Sequence, residues 1–162
     1  MNVVFRLHNI LTNSLFITGV SAISFITAIY CFEIVARYFF RSPTGWANDA
    51  ASFLFSVGIF MCLPRVTQDR GHVAVTLIYH VVSDGTAKRI AAIVAFSSAL
   101  ICLVAAVITG HETVRQFTLG ILTNSSIVIP KWWITIWVPY AFFSSGLYFL
   151  RGWNYVPKTE ED

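Results

Sequence analysis

The sequence predicts an all-α integral membrane fold, with four transmembrane helices and a short amphipathic interfacial helix between the second and third. Two observations lead there. Hydrophobic residues make up 56% of the chain and charged residues only 12%, about half the charged share of an ordinary soluble domain. The charges are also segregated, leaving uncharged windows at 7–32, 50–64, 90–111 and 132–150, of 26, 15, 22 and 19 residues. A hydrocarbon core of about 30 Å takes about 20 helical residues, so three windows span it and the second falls short. Fifteen residues supply only about 22 Å of rise, so Trp46 and Asp49 are drawn into the second span, with Asp49 near a membrane face.

The whole chain, 1–162, reads as one membrane domain, with spans expected at 9–40, 46–68, 87–117 and 130–153. The first is stopped by Ser42-Pro43, because proline disfavours helical geometry in the residue before it. Its apolar run is too long for a secretory signal core and no A-x-A site follows, so an uncleaved first span is expected. Between the second and third spans, 71–85 carries Ala74, Leu77, Ile78, Val81 and Val82 at helical spacing, with His72, Thr76, His80 and Ser83 opposite. That pattern predicts a helix lying in the membrane interface, although Val73, Val75, Leu77 and Tyr79 also fit strand alternation.

The third span aligns Ala91, Ala95, Ala99, Cys102, Ala106 and Gly110 on one stripe. Small residues let another backbone approach closely, so this face is expected to pack against protein, within the chain or in a partner subunit. The fourth span opens at Pro130, a tolerated first-turn position, and Pro139 is expected to kink it. Trp46, Trp132, Trp133 and Trp137 gather at one membrane face, and Trp153 and Tyr155 at the other, as interfacial anchors. The tail at 157–162 is polar and expected to be loose.

Orientation follows from basic residues. Arg6, Arg65, Arg70, Lys88, Arg89, Arg151 and Lys158 fall on the side of both termini, against Arg37, Arg41, Arg115 and Lys131 opposite. The excess predicts both termini in the cytoplasm.

An ionised group near hydrocarbon needs a counter-charge or a wet route out. Asp49 therefore calls for a partner, and Arg37 and Arg41 stand at the adjoining end of the first span with Glu33 one turn earlier. The expectation is an ion-pair network of Glu33, Arg37, Arg41 and Asp49, with Arg37 bridging both carboxylates.

Other chemistry is thinly represented. The net charge of +3 includes no basic run, which argues against nucleic acid. His111-Glu112-x-x-Arg115 lacks the second histidine of a zinc helix, and His8, His72, His80 and His111 share no ligand spacing, so no metal or cofactor is expected. Glu112 and Arg115 read as an i, i+3 pair. Cys31, Cys62 and Cys102 have no C-x-x-C spacing and read as small apolar fillers. No nucleophile–base pattern or phosphate loop supports an enzyme. The midplane portions of all four spans are apolar, unlike those of a self-contained ion-coupled carrier.

Three stretches carry a family resemblance. Arg37-Tyr38-Phe39-Phe40, then Ser42-Pro43 and Trp46-x-x-Asp49, form the first; Arg65 followed by Gly71-His72-Val73-Ala74-Val75 the second; Ile129-Pro130-Lys131-Trp132 with Pro139 the third. In this order between four spans they resemble the DctQ-type small membrane subunit of tripartite ATP-independent periplasmic (TRAP) transporters. The sequence departs from the family pattern at Asp49, where glutamate is usual, at Asn48, which replaces an often acidic neighbour, and at Thr76 after Val75.

The resemblance implies a bacterial inner-membrane, sodium-driven uptake system for an organic acid such as a C4-dicarboxylate or sialic acid. The small subunit would form a heterodimer with a large multi-spanning transport subunit, serve as its scaffold, and meet a periplasmic substrate-binding protein transiently. Membrane lipids would be its other contacts. A rival class is a small dimeric proton-coupled multidrug exporter using Glu33 as its carboxylate. A haem-carrying quinone reductase subunit would need paired histidines within the spans.

Overall fold

The computed structural model of the chain describes residues 3–42, 44–69 and 84–151. Among them it is all helical apart from connections, and four helical stretches are long and apolar enough to cross a membrane. We label the helices α1 (Val3–Phe39), α2 (Ala47–Gln68), α3 (Asp84–Thr118), α4 (Trp132–Thr135) and α5 (Trp137–Arg151). Helices are the natural outcome, since lipid supplies no hydrogen-bond partners and the helix satisfies its backbone internally. The predicted interfacial positions His72, Leu77, Ile78, Val81 and Val82, and the anchors Trp153 and Tyr155, lie outside the described residues.

The spans form a row. α2 packs against both α1 and α5, α3 packs against α5, α1 and α3 do not meet, and α1 reaches α5 through side chains at one end. In α2 and in α4–α5 the most apolar window is 28% buried, against 11% in α1 and α3. The outer pair therefore presents apolar side to its surroundings, including Ile17, Phe25 and Ile34 on α1 and Ile101, Val107 and Ile108 on α3. With 37 and 35 residues, the outer helices reach over about 50 Å, well beyond a 30 Å hydrocarbon core.

Two close crossings hold the row together. A Cβ placed on Gly19 of α1 would stand 2.9 Å from both the Gly58 carbonyl oxygen and Cys62 Sγ of α2, so the two backbones touch where neither has a side chain. Gly146 of α5 sits against Leu103 and the Ala99 carbonyl of α3, where an added Cβ would lie 3.3 to 3.5 Å from them. Lipid offers no hydrophobic incentive for helix association, so such backbone approach supplies the attraction.

The last span is helical from Trp132 to Arg151, with one interruption of its hydrogen-bond ladder. It divides at Ile136 into α4 and α5, three residues before Pro139. Proline has no N–H for the carbonyl four residues back and its ring crowds that carbonyl. The carbonyl is that of Thr135, which instead faces the Thr113 hydroxyl at 3.5 Å.

Candidate functional site

The polar groups collect at the two ends of the row. At the end formed by the 40–46 and 119–131 connections, here called the loop end, Glu33 is 7% exposed. Its carboxylate accepts from Arg37 Nη2 at 2.8 Å and from the Thr44 backbone N–H at 3.1 Å, and also from the Thr44 hydroxyl. One acidic residue thus pins the connection back onto the helix it leaves. The turn itself is tight: Phe40 and Ser42 both donate to the Ala36 carbonyl at 3.2 Å, with Arg41 between them at φ 52°.

Asp49, in the first turn of α2, accepts the Ser126 backbone N–H at 2.6 Å. Ser126 belongs to the long connection between α3 and α4, which begins with a Schellman turn: Ile121 N–H bonds the Gln116 carbonyl and Gly120 N–H that of Phe117, with Gly120 at φ 59°. The connection doubles back through Thr123 and Ile129, whose backbones pair at 2.9 Å, and an isolated bridge joins Leu122 and Pro130. Gln116, 4% exposed, completes the attachment by accepting from Thr135 Oγ1 at 2.8 Å.

The expected four-residue network therefore divides into two anchors. Arg37 runs along its own helix to Glu33, the i, i+4 geometry, and has no ion pair with Asp49. Asp49 takes a backbone N–H in place of the guanidinium. Arg41 has no ion pair among the described residues. Glu112 and Arg115 do meet, at 3.3 Å on an exposed face. Trp46, Trp132, Trp133 and Trp137 lie at this end, with Trp46 beside Phe32 and Trp132 edge-on to Phe117 and Trp133.

At the opposite end, the tail end, the enclosed contacts between helices are made by neutral side chains that sequence reasoning passed over, with Arg65, Asp69 and Arg151 at their exposed margin. Tyr148 of α5 donates to Asn9 Oδ1 or Thr12 Oγ1 of α1, at 3.1 and 3.0 Å. His8 Nε2 lies 2.9 Å from Ser144 Oγ, and Thr67 of α2 donates to Ser145 at 3.2 Å. Arg151 joins Asn9 at 3.2 Å and stacks on Phe5, while Arg65 reaches Asn13 at 3.3 Å and Asp69 at 2.7 Å. Thr12, Ser144 and Ser145 are almost wholly enclosed. A signal was present: His8, Asn9, Thr12 and Asn13 fall at the same depth as Ser144, Ser145 and Tyr148 when the two helices run antiparallel.

The small stripe of α3 has its partner within the chain. Ala91, Ala99 and Ala106 are buried, Ala95, Cys102 and Gly110 partly so, and Ala99 and Gly110 adjoin Gly146 and Pro139. Within the chain this face packs against the last span, the first of the two placements expected for it. What stays exposed on α1 is a second small stripe, Ser14, Thr18 and Ser21, spaced four and three. The Thr18 and Ser21 hydroxyls donate to Ser14 and Ile17 carbonyls one turn back, at 3.0 and 2.9 Å, so they carry no unmet hydrogen bond into lipid.

Between the ends, no three His, Cys, Asp or Glu side chains converge among the described residues. Glu33, which an exporter would need as a free proton-exchanging carboxylate, is held by three donors at the loop end.

A row of four spans, with its charged residues at the ends and its outer faces apolar, is an integral membrane component suited to working through contact. Comparison with known families takes the identification further. The family described as tripartite ATP-independent periplasmic transporters, DctQ component, matches residues 26–153. The chain belongs to that family and is the small membrane subunit of a TRAP transporter, a transport component and not an enzyme. No curated protein and no solved structure matches it. Membership implies partnership with the DctM membrane component and a periplasmic binding component.

Proposed function

We propose that the chain is the stationary scaffold of a sodium-coupled uptake system for an organic acid, forming a heterodimer with the large transport subunit. The exposed face of α1 carries this reading. It combines a small-residue stripe with Ile10, Ile17 and Phe25, and the Thr18 and Ser21 hydroxyls are already bonded within the helix, which makes a surface that a neighbouring span can approach closely. α3, whose small stripe packs on α5, exposes mainly bulky apolar side chains such as Ile101, Val107 and Ile108. The anchors at the loop end support rigidity, because Glu33 and Asp49 each tie a connection to a helix. Both termini in the cytoplasm suits the basic-residue excess on that side, and the loop end then faces the binding protein. The organic-acid substrate and sodium coupling follow family resemblance.

Photo-crosslinkers placed at Thr18 and at Ala99 in the assembled transporter test this. Capture of the large subunit from Thr18 and not from Ala99 is expected. Capture from Ala99 alone would overturn the assignment of α1.

A further inference from the structure

Near the tail end, α3 and the last turn of α5 leave an open groove of about 690 Å³, lined by Ile93, Phe96, Ser97 and Leu100 on α3 and by Phe149 and Leu150 on α5. The lining is apolar, and the Ser97 hydroxyl is already committed to the Val94 carbonyl at 3.1 Å. The groove covers about eight residues of α3, or about 12 Å of rise, less than half of a 30 Å hydrocarbon core. A partner helix would need the length of the bilayer, whereas a hydrocarbon chain of one leaflet needs only this depth.

Charge selects the kind of chain. Arg89 is exposed and stands four, seven and eleven residues before Ile93, Phe96 and Leu100, so helix periodicity puts it on the groove stripe, one turn nearer the membrane surface. It has no ion pair among the described residues. Arg151, which follows Leu150, is turned away to Asn9 and Phe5. An apolar slot beneath a cation that has no ion pair among the described residues matches a lipid with an acyl chain below an anionic phosphate.

We propose that this groove holds an anionic membrane phospholipid, with one acyl chain along Ile93, Phe96 and Leu100 and its phosphate on Arg89. The site is separate from the exposed α1 stripe, so it stands whether or not α1 is the partner-facing helix.

Native mass spectrometry of the complete transporter, extracted from membranes of mixed phosphatidylglycerol and phosphatidylethanolamine and washed in detergent, tests it. Retention of phosphatidylglycerol is expected, falling about fivefold in Arg89→Gln and returning in Arg89→Lys. Ser97→Trp, which fills the slot, should lose the lipid while the thermal transition is retained. Should Ser97→Trp fail to fold, the Arg89 pair decides alone. Equal retention in wild type and Arg89→Gln, no preference for phosphatidylglycerol, or capture of a polypeptide by a photo-crosslinker at Phe96 would each overturn the proposal.

Discussion

The loop end and the tail end solve the same problem, tying helices together at the edge of a bilayer, with different chemistry. At the loop end single carboxylates do the tying. Glu33 gathers Arg37 and Thr44, and Asp49 holds the Ser126 N–H of a connection far along the chain. At the tail end neutral groups share the task, through Tyr148, Asn9, Thr12, His8 and Ser144. A charge makes stronger hydrogen bonds, and its burial is tolerable when several donors surround it. Neutral bonds within a membrane are worth less, since the separated helices also find partners. The loop end should therefore depend on a few residues and the tail end on many.

Both ends rely on the crossing between them, where the largest effect is expected. In Gly19→Leu the new side chain meets the Gly58 carbonyl, which cannot give way as a side chain can. Overpacking costs about 3 kcal/mol or more, and fluorescence-detected size exclusion should show folded protein mostly lost. Retained folded yield would mean that α1 and α2 do not cross at these glycines.

Next in size is Glu33→Ala. It strips the acceptor from the Thr44 N–H and hydroxyl and from Arg37, at a cost of about 2 kcal/mol, read as a lowered thermal transition in detergent. Tyr148→Phe removes one hydroxyl from a shared network and should cost only about 0.6 kcal/mol, close to the mean for interhelical hydrogen bonds in membranes. A larger loss in Tyr148→Phe than in Glu33→Ala would reverse the contrast between the ends. The smallest effect belongs to Glu112→Gln: its partner Arg115 is exposed, and exposed pairs contribute little, so the thermal transition should not move measurably.

The same contrast explains what could be read from the sequence. The four spans followed from the uncharged windows, and Glu33–Arg37 from its spacing of four. That Asp49 needed a partner was legible too, because a charge near lipid always does. Its identity was not: the donor is a backbone N–H at Ser126, and backbone groups leave no mark in composition. The stripe on α3 announced close packing without naming the helix that takes it, since Gly146 is a single glycine within the last span. Gly19 and Gly58 likewise carry no pattern until the spans are aligned. At the tail end asparagine, threonine, serine and tyrosine each look ordinary in isolation, and depth matching alone groups them. Pro139 marked a distortion, and the break at Ile136 is where the missing N–H and the crowded Thr135 carbonyl place it.

Substrate uptake into proteoliposomes most directly tests whether the chain works by contact and carries no route of its own. Vesicles holding this subunit alone, with the periplasmic binding component and a sodium gradient supplied, should accumulate no organic acid, and adding the large subunit should start uptake. Accumulation driven by this subunit alone would contradict a scaffold role.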